Sequence, residues 1–281
     1  MNQEIFRILF SLCRKQPWLE DKAEELENLL YSECRDDNEK NLVLELLERF
    51  IHISSEKYND LIHELVENIA TDPDLESNTT QIVAMTGDYS SDSAQFVLYG
   101  MKQPLQKVGW QEHLSVTQFQ RSFREYNKKG KQHKNIVLID EFVGSGKTVV
   151  GRVNTLKNLF TNETDITFKV RVLVASKVGI AHIQEQNIDI ESIIYLDKGI
   201  SDYYPVDTLQ QKLSTMNNLE TLLSPAYKDR LLPSFGYGQT ECLYTRDNGN
   251  TPNSVFPLFW WPYLQTNGER RPLLIRAMGD A

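Results

Sequence analysis

The chain has 281 residues, with 30 Lys and Arg against 39 Asp and Glu, a formal net charge of -9 and 40% hydrophobic residues. That length allows one large domain or one ordinary domain with additions, and the composition is not that of a disordered chain. The acidic balance excludes a generally basic coat for nucleic acid.

At the N-terminus, Met1-Asn2-Gln3-Glu4 lacks the basic start of a secretory signal, and Arg7 interrupts the apolar stretch 5–12. No later run approaches the roughly 18–20 apolar residues of a membrane span. Residues 3–16, 20–34, 39–53 and 56–70 read as short amphipathic helices. Leu42, Val43, Leu46, Leu47 and Phe50 recur at helical spacing, as do Tyr58, Leu61, Ile62, Leu65, Val66 and Ile69. Ser55 suits a helix cap, and Asp72-Pro73-Asp74 stops the run. Residues 1–80 carry 8 basic and 19 acidic side chains, whereas 81–281 carry 22 and 20. Residues 1–78 are therefore expected to form a small acidic helical unit. It suits either a protein partner or homo-oligomerisation, or simple packing on the main domain. Cys13, Cys34 and Cys242 are scattered and do not cluster with the five histidines, which fits reduced thiols and no zinc site. The expectation is a cytoplasmic protein without membrane attachment.

The texture changes at residue 80. Gln81-Ile82-Val83-Ala84-Met85 predicts a strand running into Thr86-Gly87-Asp88, with a helix from Ala94 to about Lys102. Residues 115–127 read as helical. A strand at 136–139, a turn at 144–148 and a helix at 149–159 follow, with further strands at 168–175 and 193–196. Nearly continuous apolar strands alternating with helices predict an α/β domain over 79–235, a mostly parallel sheet with helices on both faces. Residues 236–281 differ: Gly, Asn and Pro punctuate dense aromatics, predicting irregular chain pinned by large rings.

The segment that carries chemistry is Ile136-Val137-Leu138-Ile139-Asp140-Glu141-Phe142-Val143-Gly144-Ser145-Gly146-Lys147-Thr148. A buried strand ends at two acids, then a Gly-rich turn opens a helix. Turn amides and a helix N-terminus suit a phosphate. Paired acids at the carboxyl end of a strand suit the vicinal hydroxyls of a sugar or a divalent cation. Gly146-Lys147-Thr148 also matches the end of a P-loop, but that pattern needs glycine where Glu141 stands, and an acid there repels phosphate. A shorter phosphate loop over 143–148, with the acids as ligand contacts, accounts for every unusual residue.

A strand, two acids and a Gly-rich turn ending in Thr resembles the signature of type I phosphoribosyltransferases, which bind phosphoribosyl pyrophosphate. The resemblance implies a phosphoribosyltransferase-like fold over about 80–235, with magnesium and phosphoribosyl pyrophosphate as cofactor and substrate. It makes Asp140 and Glu141 the catalytic ribose contacts and magnesium-binding acids. Val143, Gly144, Ser145, Gly146, Lys147 and Thr148 would wrap the 5'-phosphate. Thr86 and Gly87 would stand at the pyrophosphate loop, where Asp88 repels pyrophosphate unless magnesium lies between. Within the family, the Trp-Trp-Pro tail at 260–262 is similar to the phosphoribosyltransferase-like proteins of bacterial conflict systems, implying a role in anti-phage defence. Phe142 and Val143 depart from the Thr-rich loop of salvage enzymes. Family members that lost catalysis keep the fold, so the motif alone does not prove transfer.

Other candidates carry two readings each. Arg121, Arg124, Lys128, Lys129, Lys131 and Lys134, facing only Glu125, suit either a segment closing over the reaction centre or a solvated face. Lys177, Asp197 and Lys198 follow strand ends and suit a ligand or plain surface loops. Tyr203 and Tyr204 suit a stacked base or packing. Trp260, Trp261 and Tyr263 suit a hood over the base, with Arg246 and Glu241 pointing inward, or a buried cap in which Asn248, Asn250 and Asn253 hold turns. His182 reads as structural. Three functions compete: transfer of phosphoribose to a nucleobase, nucleotide, nucleic acid or protein; a non-catalytic sensor of a phosphorylated ribose or nucleotide; and a P-loop ATPase.

Overall fold

The computed structural model describes residues 3–87, 92–266 and 268–278. In chain order come helices α1 (Gln3–Lys15), α2 (Ala23–Asn28) and α3 (Asp37–Leu47), strand β1 (Ile51–Ile53), helix α4 (Ser55–Thr71) and strand β2 (Thr80–Ala84). Then follow α5 (Ser93–Gly100), α6 (Lys102–Lys107), β3 (Leu114–Val116), α7 (Ser122–Lys128), β4 (Asn135–Val143) and α8 (Lys147–Leu159). The remainder is β5 (Thr167–Ser176), α9 (Lys177–Gln184), β6 (Asp189–Leu196), α10 (Val206–Glu220) and the short strands β7 (Ala226–Tyr227), β8 (Arg230–Leu231) and β9 (Tyr244–Arg246). No helix among the described residues is long and apolar enough to cross a membrane.

The chain divides into two compact units, Glu56–Leu196 and a second made of Met1–Ser55 with Asp197–Ala281. This differs from the division at 78 and 235 that the sequence predicts. Two local facts explain the difference. β1 pairs in parallel with β9, Ile51 opposite Tyr244 and Ile53 opposite Arg246, which ties the N-terminal helices to the tail. α4 instead belongs with the sheet. Its Ile62 fills the space over Gly100 of α5, where an added Cβ would lie 2.6 Å from Ile62 Cδ1, and its Tyr58 ring meets Phe96 at 5.7 Å.

Glu56–Leu196 is an α/β unit with a five-stranded sheet in the order β3-β2-β4-β5-β6, every neighbouring pair parallel. β4 is central, and Ile136, Val137, Leu138 and Ile139 are fully buried, as expected of a strand covered on both faces. α7, α8 and α9 pack together on one face, where Phe123, Tyr126 and Phe168 gather around Phe160. α4 and α5 cover the other. At the amino end of the sheet, Lys169 and Arg171 of β5 share Asp72, at 2.8 and 2.9 Å. The helix predicted over 115–127 is two elements. Leu114-Ser115-Val116 extends beside Gln81-Ile82-Val83 as the outer strand, and a short 3-10 turn at Phe119–Arg121 leads into α-helix at Ser122.

In the other unit, the helix predicted over 39–53 ends at Leu47. Asp36 caps its start, accepting from Glu39 N, and the bonds Arg49 N to Leu46 O and Phe50 N to Leu47 O tighten its last turn. Ile51-His52-Ile53, with β-branched residues at both ends, then pairs as β1. The tail is irregular and pinned by rings, as its composition predicts. Trp260 donates Nε1–H to Val255 O at 2.9 Å and lies edge-on to Trp261 at 5.5 Å, both 1% exposed.

Candidate functional site at the sheet's switch point

The strand order reverses between β2 and β4. The chain leaves β2 towards β3 at one edge, then returns to β4 on the other side of β2 and continues outward to β5 and β6. Loops leaving the carboxyl ends of β2 and β4 therefore diverge and open a crevice, the place where open parallel sheets bind ligands. Thr86 and Gly87 follow β2 and 144–146 follow β4, so the two segments singled out in the sequence leave adjacent strands at the same edge of the sheet. Asp88 and the loop residues 89–91 lie outside the described residues.

The β4 turn is built for close approach. Gly146 caps α8 at φ 78°, a conformation costly for any other residue, and its Cα lies against α9, with Gly179 O 2.8 Å from where a Cβ would be. At Gly179 an added Cβ would sit 2.0 Å from Gly144 O. Ser176 locks the contact: its hydroxyl donates to Gly144 O at 2.6 Å and accepts from Gly179 N at 2.9 Å. Val143 is buried, Gly144 and Ser145 are half-buried, and Lys147 and Thr148 are exposed on the first turn of α8. A glycine turn that opens into the N-terminus of a 13-residue helix is backbone of the kind that suits an anion.

The two acids part company, because successive strand residues face opposite sides of a sheet. Glu141 is buried on the α4 face, where the Tyr58 hydroxyl donates to its Oε2 at 3.4 Å. Asp140 lies on the α8 face at the crevice. Its Oδ1 accepts from Glu141 N at 2.7 Å and from the Ser93 hydroxyl at 3.1 Å, while Oδ2 faces Arg152 Nη1 at 3.9 Å. Burial pushes the Asp140 carboxyl up to about 7, and the charge of Asp92 adds to this. The Glu141 amide, Arg152 and Ser93 hold it back. Asp92 caps α5 by accepting from Gln95 N, and Thr86 Oγ1 donates to the same carboxylate oxygen at 2.5 Å. The acids that share this edge are thus Asp140 and Asp92, not Asp140 and Glu141.

Arg152, Asp92, Ser93, Ser176 and Gly179 were not reached by sequence reasoning. Arg152 had a signal: it lies four residues after Thr148, on the same stripe of α8. The others depend on which loops the topology brings together. No group of three His, Cys, Asp or Glu side chains forms a metal cage among the described residues. Asp140 Oδ2 alone suits a magnesium ion held mainly by a ligand's phosphates, and an Asp140–Glu141 clamp does not form.

A family model, PRTase-CE, matches residues 25–276. The chain belongs to the PRTase-CE family. The match spans residues of both units. Solved structures similar to it include xanthine-guanine-hypoxanthine phosphoribosyltransferase of Helicobacter pylori, at 13% identity over 52% of this chain and 82% of that one, TM-score 0.31. Orotate phosphoribosyltransferase of Aeropyrum pernix is similar at 12% identity over 57% and 78%, TM-score 0.32. Hypoxanthine-guanine phosphoribosyltransferase of Schistosoma mansoni, in complex with IMP, is similar at 19% identity over 44% and 59%, TM-score 0.30. None of the curated proteins matches the chain.

Other candidates in this PRTase-CE chain have structural partners. Glu125 pairs with Arg124 and Lys128, Lys131 with Glu163, and Lys134 with Asp165. Lys134 directly precedes β4, a strand about 26 Å long whose far end carries the crevice. That end of the basic segment is therefore a paired surface, not a lid. Arg49 lies over the Tyr203 ring at 3.5 Å, and the Tyr204 hydroxyl donates to Glu45, so both rings are clamped by α3 and the turn that follows it. Glu241 is buried and accepts from Ile200 N, Ser201 N and the Ser201 hydroxyl, stapling the 198–201 loop. Lys177 is exposed at the first position of α9, just past β5.

Proposed function

We propose that the crevice between β2 and β4 binds phosphoribosyl pyrophosphate or a closely related phosphorylated ribose with magnesium. What supports this reading is that β2 and β4 are parallel neighbours at the switch point, so that Thr86–Gly87 and the 143–148 loop continue from adjacent strands, with Asp140 on β4 facing Ser93 and Arg152. In this reading the 5'-phosphate lies in the amides of 143–148 at the start of α8, with the Ser145 and Thr148 hydroxyls beside it. Asp140 Oδ2 would accept a hydrogen bond from a ribose hydroxyl and would be the chain's own acid toward magnesium, and the Thr86–Gly87 segment would back the pyrophosphate. The Glu141 carboxylate keeps to Tyr58 and supports α4.

Transfer would break the bond between ribose C1 and a pyrophosphate oxygen while C1 bonds to a nucleophilic atom of the acceptor. Pyrophosphate leaves with the electron pair, and positive charge builds on C1. Magnesium, when bound, neutralises the leaving diphosphate. The chain's own part is to fix the phosphate in the loop and the ribose on Asp140 so that C1 meets the acceptor in line. Placement in a bacterial anti-phage defence system belongs to the same proposal and rests on the resemblance of motif and tail.

Calorimetry with phosphoribosyl pyrophosphate and magnesium tests the site. Thr148→Glu, an exposed change that sets a negative charge beside the loop, is expected to weaken binding at least about tenfold. No binding to the wild-type chain, or binding indifferent to Thr148→Glu, would sink the assignment. Pyrophosphate release across nucleobase, nucleotide and nucleic-acid acceptors then separates a transferase from a binding protein.

A further inference from the structure

Among the described residues, Arg152 is a cation on the β2 side of the crevice. It belongs to the second turn of α8, and its side chain is 23% exposed. Its Nη2 lies 3.6 Å from where a Cβ on Gly87 would be, and its guanidinium stands 5.8 Å from the centre of the Phe119 ring. Phe119 is itself fixed by its amide, which donates to Thr86 O at 3.3 Å. The group is thus set against the residues that follow β2, beside the Phe119 ring and within van der Waals reach of Gly87.

Its charge is not consumed by this setting. Among the described residues its acidic partner is Asp140, at 3.9 Å, beyond hydrogen-bond length. An arginine that served only to neutralise Asp140 would be expected to close on it in a fork, with two parallel bonds. The neighbouring acids, Asp92 and Asp140, would repel a polyanion from this edge, and Arg152 is the fixed positive charge set against them. A guanidinium presents several donors in one plane and matches paired phosphate oxygens better than an ammonium does.

We propose that Arg152 is a specificity residue, selecting ribose ligands that carry a diphosphate at C1 over those that carry only the 5'-phosphate. This rests on the placement of the 5'-phosphate in the 143–148 loop proposed above. The loop holds one end of the ligand and does not distinguish the two classes. Arg152, on the side of Thr86 and Gly87, meets the other end. The diphosphate draws the guanidinium from its loose approach to Asp140, and Asp140 Oδ2 turns to the ribose hydroxyl.

Calorimetry with two probes, phosphoribosyl pyrophosphate and ribose 5-phosphate, each with magnesium, tests this on the full chain. The variants are Arg152→Ala, Arg152→Gln and Arg152→Lys, with melting temperatures measured alongside. The wild type is expected to prefer the diphosphate ligand. Arg152→Ala and Arg152→Gln should lose at least about tenfold in affinity for it while ribose 5-phosphate changes less than about twofold, and Arg152→Lys should fall between. Equal losses for both ligands, or no loss for either, overturn the inference and leave Arg152 a structural partner of Asp140. A wild type that binds neither ligand overturns the phosphate-site reading and this inference with it, so the two failures are told apart.

Discussion

Asp140 shows what the crevice costs at the level of one side chain. In an unfolded chain its carboxyl would ionise near the ordinary value of 3.8, and in the fold it is pushed up to about 7, chiefly by burial. The folded chain therefore binds this proton more tightly than the unfolded chain. The stabilising contribution is complete below about pH 4 and is lost as pH rises through about 7. At pH 8 the fold carries an ionised, nearly enclosed carboxylate, and Asp140→Asn should stabilise it by roughly 1–3 kcal/mol, the lost attraction to Arg152 offsetting part of the gain. The same substitution should weaken binding of phosphoribosyl pyrophosphate with magnesium. It should also abolish the rise in affinity expected between pH 6 and pH 8, which a comparison of the two proteins separates from titration of the ligand. Thermal melts and calorimetry across that range check both signs; a variant that is less stable at pH 8, or that keeps the pH dependence, contradicts this account. Asp140 and the loop residues were legible because they follow one another in the chain and their chemistry is local. Arg152 and Asp92 were not, because nothing in their own neighbourhoods says that a helix turn and a helix cap will reach the same carboxylate.

At the level of elements, the strands were legible and their ends less so. The Ile-Val-Leu-Ile core of β4 announces itself, yet β4 runs on through Val143, so the two acids lie inside a strand rather than in a loop. That extension turns them to opposite faces, and no composition signal gives the register of a strand end. β3 was missed because three residues at a sheet edge hold too little pattern to compete with the helix that follows them. The docking of the β4 turn on α9 is the sharper element-scale feature. It depends on two glycines 35 positions apart in a chain with 14, Gly144 presenting its carbonyl and Gly179 leaving room for it. Gly179→Ala would place a methyl group 2.0 Å from Gly144 O, so the turn must move. We expect a loss of about 1–3 kcal/mol in urea unfolding and at least about tenfold in affinity for phosphoribosyl pyrophosphate. Ser176→Ala removes the hydroxyl that bridges the same pair and should cost about 1 kcal/mol while leaving the turn unobstructed. If Gly179→Ala leaves affinity unchanged, the turn is not the phosphate site.

For the whole molecule, the sequence marks a change of texture near residue 80, and the fold places its boundaries at 55 and 196. The acidic helices and the texture change are real features, but charge does not decide which elements share a core. α4 is as acidic as its neighbours in sequence, and it belongs to the sheet unit because Tyr58, Leu61, Ile62, Leu65, Val66 and Ile69 are buried along one stripe. Each fully buried side chain of this kind is worth about 1.5–3 kcal/mol, so together they match or exceed the roughly 5–15 kcal/mol by which a domain is usually stable. A fragment covering 79–235 lacks that helix and exposes the α5 face it covers. It also carries α10, whose Met216 and Leu219 are buried in the other unit and whose neighbour α3 it lacks. A fragment covering 56–196 keeps α4 and omits α10. The second fragment should purify as a monomer and melt in one cooperative transition. The first should aggregate on gel filtration or melt at least about 10 °C lower. Equal melting temperatures for the two would mean that α4 adds nothing to the sheet unit, and the boundary at 55 would have to be withdrawn.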